Sequence, residues 1–577
     1  MSMDRTAWIA VILSAVGLVV WYSYMARQTL PRPMTASGAP ATTTALPTPS
    51  TPAAPPGAAP LPSAQSAPPP PPVSVPAYPE VRETLRNSDV ELQLTNRGGG
   101  IAEAVLVNHK TDRGTVTINA GEHTPIGAIM EHPAAPVLPE YKLTRQGEAV
   151  QCEYVSPEHL TIRKKYFFAP STEKKDNYVG ELDIEFINGG SQPALSAGYY
   201  LALGGAVPIH PKDYPSYTRL VWSVDGRAKG VDVTWFTGGN GFLGFNQRAA
   251  QPFYEERIKD AEWAGVSSQF FATIIAPLNA KADSVWGRRF DISPEEKLWG
   301  IEGAMHMPAL NLAPGQTDSA RFEIYAGPKL YHRLARLEHN EAEIMNFGIF
   351  KLVSQFLLNF MNWLHSIFGD YAIAILALTT VIRLVLWPIQ GKANRSMKQT
   401  AALAPKMQEL REKYKDDPTR MNQEVMKMYK QYGINPVGGC LPMVIQIPIF
   451  FGLYQMLGQA VELRNEKFLW VHDLSQPDTV AHIPGLDWPI NILPLCMAAT
   501  QVWLMQMTPK TGDPTQRRIM MFTPLIFMFI CYNFAAALAL YYTAQNLFSI
   551  LQFYQTRNQP MPALAKVSLP GKGARQK

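Results

Sequence analysis

One charged residue lies well inside a long apolar run of the sequence. The run YAIAILALTTVIRLVLWPI contains Arg383, about six residues or roughly 9 Å of helix from its C-terminal end. An arginine at the centre of a bilayer costs about 2.5–3.5 kcal/mol, which favours a side chain that faces protein or water. Snorkelling to the nearby interface is the alternative. Thr379 lies one helical turn earlier on the same face, so the two residues predict a polar stripe.

The last apolar run, LALYYTAQNLFSILQFYQ, carries hydroxyl and amide groups where leucine or valine is usual in a lipid-facing helix. These groups belong to Tyr541, Tyr542, Gln545 and Asn546. A tyrosine can also be an interfacial anchor, whereas the amides have no such explanation. Two further amides, Gln446 and Gln501, lie in other apolar runs. Together they favour a polar cavity among helices over a dry bundle.

Patterns that would indicate enzymatic or cofactor chemistry are weak. The four cysteines have no metal-binding spacing, and the histidines at 109, 123, 210 and 306 form no readable constellation. Gly239–Gly244 fits G-x-G-x-x-G, but Pro252 follows where a nucleotide-binding helix would be needed. The sequence therefore predicts no cofactor, no metal and no enzymatic activity.

The apolar runs that position the polar groups are long enough to cross a bilayer. Trp8–Ala26 has 19 uncharged residues and predicts an uncleaved anchor over residues 1–27. Five further spans are predicted at about 370–389, 437–458, 490–507, 518–534 and 536–555. Residues 344–368 are interrupted by polar side chains and predict an amphipathic helix in the membrane interface.

Charge placement gives these spans a direction. The net charge of +5 is concentrated beside apolar runs: residues 389–435 carry ten basic residues against five acids, and 556–577 carry five against none. Under the positive-inside rule these segments are cytoplasmic. Strict alternation then places both termini in the cytoplasm and residues 28–368 outside. The sequence predicts a polytopic membrane bundle with six spans and a basic tail at 557–577.

The segment between the anchor and the bundle has two parts. Residues 28–79 contain seventeen prolines among Ala, Thr and Ser, which is typical of an extended linker. Residues 80–335 show period-2 segments, among them 90–94, 115–118, 160–168, 180–186 and 320–325, separated by turn residues. This pattern predicts a large all-β domain, most simply a sandwich.

The basic loop at 390–433 predicts a helical hairpin. Its arms are Lys392–Lys415 and Met421–Tyr432, with Asp416-Asp417-Pro418 at the turn and Gly433 at the end. The apolar stripes of the arms can pack against each other. Their methionines, Met407, Met421 and Met428, are also suited to adaptable contact with varied hydrophobic partners.

The stretch NPVGGCLPMVIQIPIFFGLY at 435–454, with VELR at 461–464, DPTQRRIM at 513–520 and ALYYTAQNL at 539–547, resembles the YidC family of membrane protein insertases. The likeness covers about residues 345–556. An insertase core over 369–556 with five core helices is implied. The long outer segment is similar to the Gram-negative branch of the family, which implies a periplasmic β-supersandwich. One departure is the turn at 533–536, which lacks the Pro-Ser-Gly break of relatives.

The resemblance also implies roles. Arg383 matches the groove arginine of the family, Thr379 its polar neighbour, and Tyr541 and Tyr542 the substrate-contacting positions. Implied partners are nascent hydrophobic membrane proteins, the lipid bilayer, the Sec translocon with its accessory proteins, the translating ribosome and the signal-recognition-particle receptor, the last two through the hairpin and basic tail. The implied location is the bacterial inner membrane.

Two other classes of function are compatible with parts of the sequence. An intramembrane arginine and prolines inside spans are also found in secondary transporters, although the sequence has no internal repeat. An anchored periplasmic enzyme or carbohydrate-binding protein would place its activity in the β domain. Loss of residues 80–320 would spare an insertase and abolish a periplasmic enzyme.

Overall fold

The computed structural model describes residues 78–557, apart from nine short gaps. The gaps are 112–113, 122, 135, 169–175, 240–247, 294–297, 435–440, 486–487 and 509–513, and no side chain is described at 418, 441–443, 514–521 or 557. The predicted anchor, nearly all of the linker and basic tail, and most of the G-x-G-x-x-G segment lie outside the described residues.

The region before the helices is rich in strands, as the period-2 pattern predicts. Its strands are β1 Arg82–Arg86, β2 Val90–Thr95, β3 Gly100–Thr111, β4 Gly114–Ile118, β5 Ile129–Met130, β6 Lys142–Gln146, β7 Ala149–Val155, β8 Leu160–Phe168, β9 Val179–Asn188, β10 Ala194–Ser196, β11 Tyr199–Ala206, β12 Arg219–Val224, β13 Arg227–Asp232, β14 Tyr254–Ala261, β15 Trp263–Ser267, β16 Phe271–Pro277, β17 Ala282–Ser293, β18 Leu298–Met307, β19 Leu310–Leu312 and β20 Thr317–Pro328. All five predicted segments are confirmed as strands.

Three antiparallel sheets pack together in this β domain. The largest has the order β13-β12-β15-β16-β20-β9-β8-β7-β6, the second β14-β17-β18-β11-β5 and the third β1-β2-β3-β4. Both smaller sheets contact the nine-stranded sheet. Strand β9, VGELDIEFIN, shows why: its apolar residues alternate toward a core that includes the fully buried Leu182 and Ile184.

One segment of the β domain does not form the strand that its residue types favour. The segment VDVTWFT at 231–237 has a strand-like sequence, but β13 ends at Asp232 and Val233–Thr237 is a 3-10 turn. The Asp232 carboxylate accepts a hydrogen bond from the Thr234 amide, which stabilises the turn over continued pairing.

The region after residue 350 is mainly helical. Its helices are α1 Lys351–Phe368, α2 Tyr371–Ala402, α3 Ala404–Lys413, α4 Pro418–Gln431, α5 Leu441–Leu457, α6 Ile492–Met507, α7 Pro514–Cys531 and α8 Ala536–Arg557. A hairpin of β21 Thr479–Ile483 and β22 Trp488–Asn491 lies between α5 and α6. Within the described part of the chain, only α2 is both long and apolar enough to cross a membrane, while α5, α6 and α7 hold shorter apolar stretches. The six-span count therefore remains a prediction.

Two helix boundaries differ from the prediction. The amphipathic helix begins at Lys351 rather than 344, because Asn346 and Gly348 adopt positive φ angles that end the preceding 3-10 turn. The first hairpin arm begins at Ala404 rather than 392, since α2 continues to Ala402. Pro405 causes this break, because its ring clashes with the carbonyl one turn earlier and it donates no hydrogen bond. The turn at Asp417 and the end at Gly433 are confirmed.

The β domain is joined to the residues that follow α5 and to the turn between α7 and α8 by a polar seam. Gln269 donates to the Gly458 carbonyl at 2.9 Å, and Tyr214 donates to the Asn533 carbonyl at 3.2 Å. The buried amine of Lys329 donates to Gln459 at 3.3 Å. Burial lowers the pKa of Lys329 to about 7, with Arg219 adding to the effect.

Candidate functional site

Arg383 and Thr379 lie on the inner face of α2. This helix packs against α1 and α8, which leaves Arg383 only 8% exposed and Thr379 fully buried. The Thr379 hydroxyl donates to the Ile375 carbonyl at 2.7 Å, so its hydrogen-bonding capacity is partly used within α2. The electrostatic neighbours of Arg383 in the described chain are the phenols of Tyr541 and Tyr542 rather than a carboxylate.

Gln446 of α5 joins this region to α8. Its amide nitrogen donates to the Tyr541 hydroxyl at 3.2 Å and to Gln545 Oε1 at 3.1 Å. Tyr541 and Gln545 are both buried, one helical turn apart on α8. A side-chain network of this kind holds its members in fixed orientations, because each hydrogen bond is strong in a region of low dielectric constant.

Tyr542 has a largely aromatic environment. Its ring lies 5.4 Å from Phe450 of α5 and 5.1 Å from Phe527 of α7, measured between centroids, and 5.5 Å from Tyr541 in a perpendicular arrangement. Tyr542 therefore lies on the apolar side of the site, in contact with Phe450 and Phe527. Tyr541 lies on the polar side, next to Gln446 and Gln545. We call Arg383, Thr379, Gln446, Tyr541, Tyr542 and Gln545 the polar cluster.

The two remaining predicted residues lie elsewhere. Asn546 is turned toward α6, where it donates to the Thr500 hydroxyl at 3.1 Å and to the Met497 carbonyl at 3.3 Å. Gln501 of α6 is half-buried, and its Oε1 is buried without a hydrogen-bond partner among the described atoms. Asn546 therefore stabilises the contact between α6 and α8, and Gln501 lies beside that contact. Neither residue is hydrogen-bonded to the polar cluster.

Sequence reasoning missed the polar contacts at the other end of the α2–α8 pair. Gln552 donates to the Trp387 carbonyl at 3.2 Å, and Lys398 donates to the Thr556 carbonyl at 2.5 Å. Asn394 is buried with both amide atoms unpaired in the described structure. Asn394 is eleven residues from Arg383, about three helical turns, and this spacing could have identified it as part of the same stripe.

The hairpin methionines have different surroundings. Met428 is buried in a small core with Leu403 and Tyr429, and Met407 packs against that core. The Tyr429 hydroxyl lies 3.3 Å from the Met407 sulfur. Met421 is half-buried outside this core. Self-packing thus accounts for two of the three methionines.

The described residues contain no group of three or more His, Cys, Asp or Glu side chains placed to hold a metal ion. The histidines of the β domain have local partners instead. His109 lies 3.2 Å from the Tyr178 hydroxyl, and His306 lies 2.6 Å from a carboxylate oxygen of Asp283. These contacts bind strands to one another.

Comparisons with known proteins agree with the two-part architecture. Residues 82–360 match the family described as YidC periplasmic domain, and residues 363–562 match the family described as 60Kd inner membrane protein. The boundary between the two matches falls within α1, after the β domain.

Curated relatives cover the chain as a whole. A membrane protein insertase YidC of Syntrophus aciditrophicus is 30% identical over 96% of this chain and 100% of the relative. A YidC of Nitratidesulfovibrio vulgaris is 34% identical over 56% of this chain and 58% of its own length. A crystal structure of an active YidC insertase is 16% identical, with a TM-score of 0.34, over 83% of this chain and 93% of that one. The chain belongs to the YidC family of membrane protein insertases.

Proposed function

We propose that this insertase receives nascent membrane proteins at the polar cluster and releases their apolar segments into the lipid of the inner membrane. The observation that supports this most is the placement of Arg383: a buried guanidinium whose electrostatic neighbours in the described chain are phenols. An acidic or polar client tail offers the acceptors that such a cation needs. The cluster then forms a groove that is open to the cytoplasm and to lipid.

The driving force for insertion needs no nucleotide. A polar tail crossing hydrocarbon loses its hydrogen bonds to water, which costs several kcal/mol per group. Gln446, Tyr541 and Gln545 offer substitute hydrogen bonds along the path. Burial of the client's apolar residues in lipid then favours completion at about 25 cal/mol per Å².

The wider arrangement follows from charge placement and family resemblance. We propose six spans with both termini cytoplasmic, residues 28–368 periplasmic, and a cytoplasmic hairpin at 390–433. The basic hairpin and tail would contact the translating ribosome and the signal-recognition-particle receptor, and the bundle would meet the Sec translocon. The alternating basic flanks support this topology.

Crosslinking to a stalled nascent chain tests the groove directly. A photoreactive amino acid at Tyr542 or Thr379 should crosslink to the client's apolar segment as it leaves the ribosome. Tyr554, on the same helix but 64% exposed, is a matched control that should crosslink weakly. Absence of crosslinks at both test positions, with a client that is inserted, would contradict the groove.

Reconstitution separates the proposal from the transporter alternative. Purified protein in liposomes should insert a small single- or double-span client without ATP. Insertion no greater than in empty liposomes, together with uptake of a solute, would favour a transporter.

A further inference from the structure

The packing of α1 against the turn after α5 contains two polar side chains that each leave one atom unpaired. Asn362 of α1 donates from Nδ2 to Glu462 Oε1 at 3.3 Å. Asn362 Oδ1 and Glu462 Oε2 are both buried, and neither has a hydrogen-bond partner in the described structure. Glu462 belongs to the 3-10 turn Val461–Leu463, whose other side chains are buried.

An ionised Glu462 would leave this arrangement unfavourable. A carboxylate has acceptors only, and the amide oxygen of Asn362 is a second acceptor. Two buried acceptors that face each other without a donor have lost their hydrogen bonds to water and gained none in return. A single proton on Glu462 Oε2 supplies a donor for Asn362 Oδ1 and removes both defects at once.

Burial is the main influence on Glu462, and hydrogen bonds from Asn362 and from its own backbone amide act in the opposite direction. The phenol of Tyr371, at the start of α2, lies within electrostatic range and is stacked on His365 of α1 at 3.8 Å. Glu466, farther along the same loop, and Asp370, at the start of α2, add negative charge in this region. Arg464 donates to the Lys110 carbonyl in the β domain and lies over Phe270 and Phe271. Burial raises the pKa of Glu462 accordingly.

We propose that Glu462 is protonated in the folded protein and forms a cyclic acid–amide pair with Asn362, a proton-dependent latch between α1 and the turn after α5. Glu462 Oε2–H donates to Asn362 Oδ1 while Asn362 Nδ2 donates to Glu462 Oε1. The latch fixes α1 to the turn after α5, and α1 also packs on α2, the helix that carries Arg383. The inference does not depend on the proposed path of the client.

The sign of the pH dependence follows from the raised pKa. A proton held more tightly in the closed state than in the open state stabilises the latch at low pH, and this stabilisation is lost as the pH rises through the pKa of the closed state. Between the pKa of the open state and the higher pKa of the closed state, the equilibrium constant for opening rises by up to about tenfold per pH unit, and above the closed-state pKa it stays constant. A rise in external pH thus loosens α1.

Hydrogen exchange of residues 351–368 in the full chain, embedded in lipid nanodiscs, tests the latch. After correction for intrinsic exchange, wild-type protection should fall as the pH rises above the usual pKa of a glutamate, whereas Glu462→Gln should remain protected without a pH slope. Glu466→Gln is the matched control and should keep the wild-type slope. A flat wild-type profile, or an unchanged slope in Glu462→Gln, overturns the proposal.

Infrared spectroscopy provides a readout that does not depend on the stability of the variants. The wild-type chain should show a carboxylic-acid carbonyl band that disappears with the same pH midpoint as the exchange protection. Asn362→Leu should shift that band and abolish the protection slope. A wild-type spectrum without an acid band that titrates above the usual pKa of a glutamate refutes a protonated Glu462.

Discussion

At the scale of single residues, the most informative side chain is Arg383. It is visible in the sequence because a charge inside an apolar run has a cost that some structural role must offset. The structure adds that its neighbours are two phenols, and that one of them is fixed by Gln446. The guanidinium is therefore not neutralised by a described acid, which is the property that the proposed contact with an anionic client requires.

Substitutions of Arg383 should distinguish the effect of its positive charge from the effect of its planar guanidinium group. We expect Arg383→Ala to reduce the insertion rate of a client with an acidic tail by about tenfold or more, corresponding to roughly 1.4 kcal/mol of lost stabilisation. Arg383→Lys retains the charge but not the planar fork and should lose less. The measurement is protease protection of the client in proteoliposomes.

The matched control for this prediction is the client itself. A client whose tail carries amides instead of acids should be much less sensitive to Arg383→Ala. Equal losses for both clients would show that Arg383 acts on folding or hydration of the bundle instead of on the client's charge.

The partners of the other cluster residues were not predictable from sequence. Gln446 and Tyr541 are 95 positions apart, and no local pattern indicates that they share a hydrogen bond. Asn546 shows the same limit: its amide indicated a polar cavity, yet it bonds across to α6. Residue type reveals that a polar group needs a partner, whereas helix packing decides which partner it finds.

At the scale of elements, the sequence predicted which segments form helices or strands better than it predicted where the helices begin and end. Alternation fixed the strands, as in β9, because a sheet with one buried face requires apolar residues at every second position. The ends of the helices depend instead on single residues. Pro405 stops α2, and Gly348 with its positive φ delays α1 until Lys351. Residue type alone does not fix these ends, since Pro388 and Pro448 lie inside α2 and α5 without ending them.

The crossing of α1 and α5 depends on one glycine. A Cβ atom at Gly452 would lie 2.8 Å from Val353 Cγ1, and the Ser354 hydroxyl donates to the Gly452 carbonyl at 3.0 Å. Valine has little rotamer freedom in a helix, so it cannot move aside. We expect Gly452→Ala to destabilise the protein by about 1–3 kcal/mol, measured as a lower midpoint of thermal unfolding in detergent.

A second substitution checks the cause of that loss. Val353→Ala removes the methyl group that the new Cβ would meet, so the double variant Val353→Ala/Gly452→Ala should recover part of the stability lost in Gly452→Ala. Additive losses would indicate that the glycine matters for a reason other than close approach of the two helices.

At the scale of the whole molecule, a seam of hydrogen bonds joins the β domain to the helices, and no sequence pattern predicted it. Among the residues that form it are Gln269, Tyr214 and Lys329, which are ordinary residues of a β domain when considered alone. The seam lies at the C-terminal end of α5 and at the turn between α7 and α8. The polar cluster is formed entirely by α2, α5 and α8, so its hydrogen bonds are independent of the β domain.

Deletion of residues 80–320 tests this separation. The polar cluster keeps all its bonds, so the insertion rate in proteoliposomes should stay well within the tenfold change that corresponds to about 1.4 kcal/mol. The midpoint of thermal unfolding should fall, because the deletion removes Gln269 and Tyr214 from the seam and exposes the ends of the helices. Arg383→Ala in the shortened chain should reduce insertion as in the full chain. Loss of insertion in a shortened chain that keeps its helical circular dichroism would show that the β domain takes part in insertion.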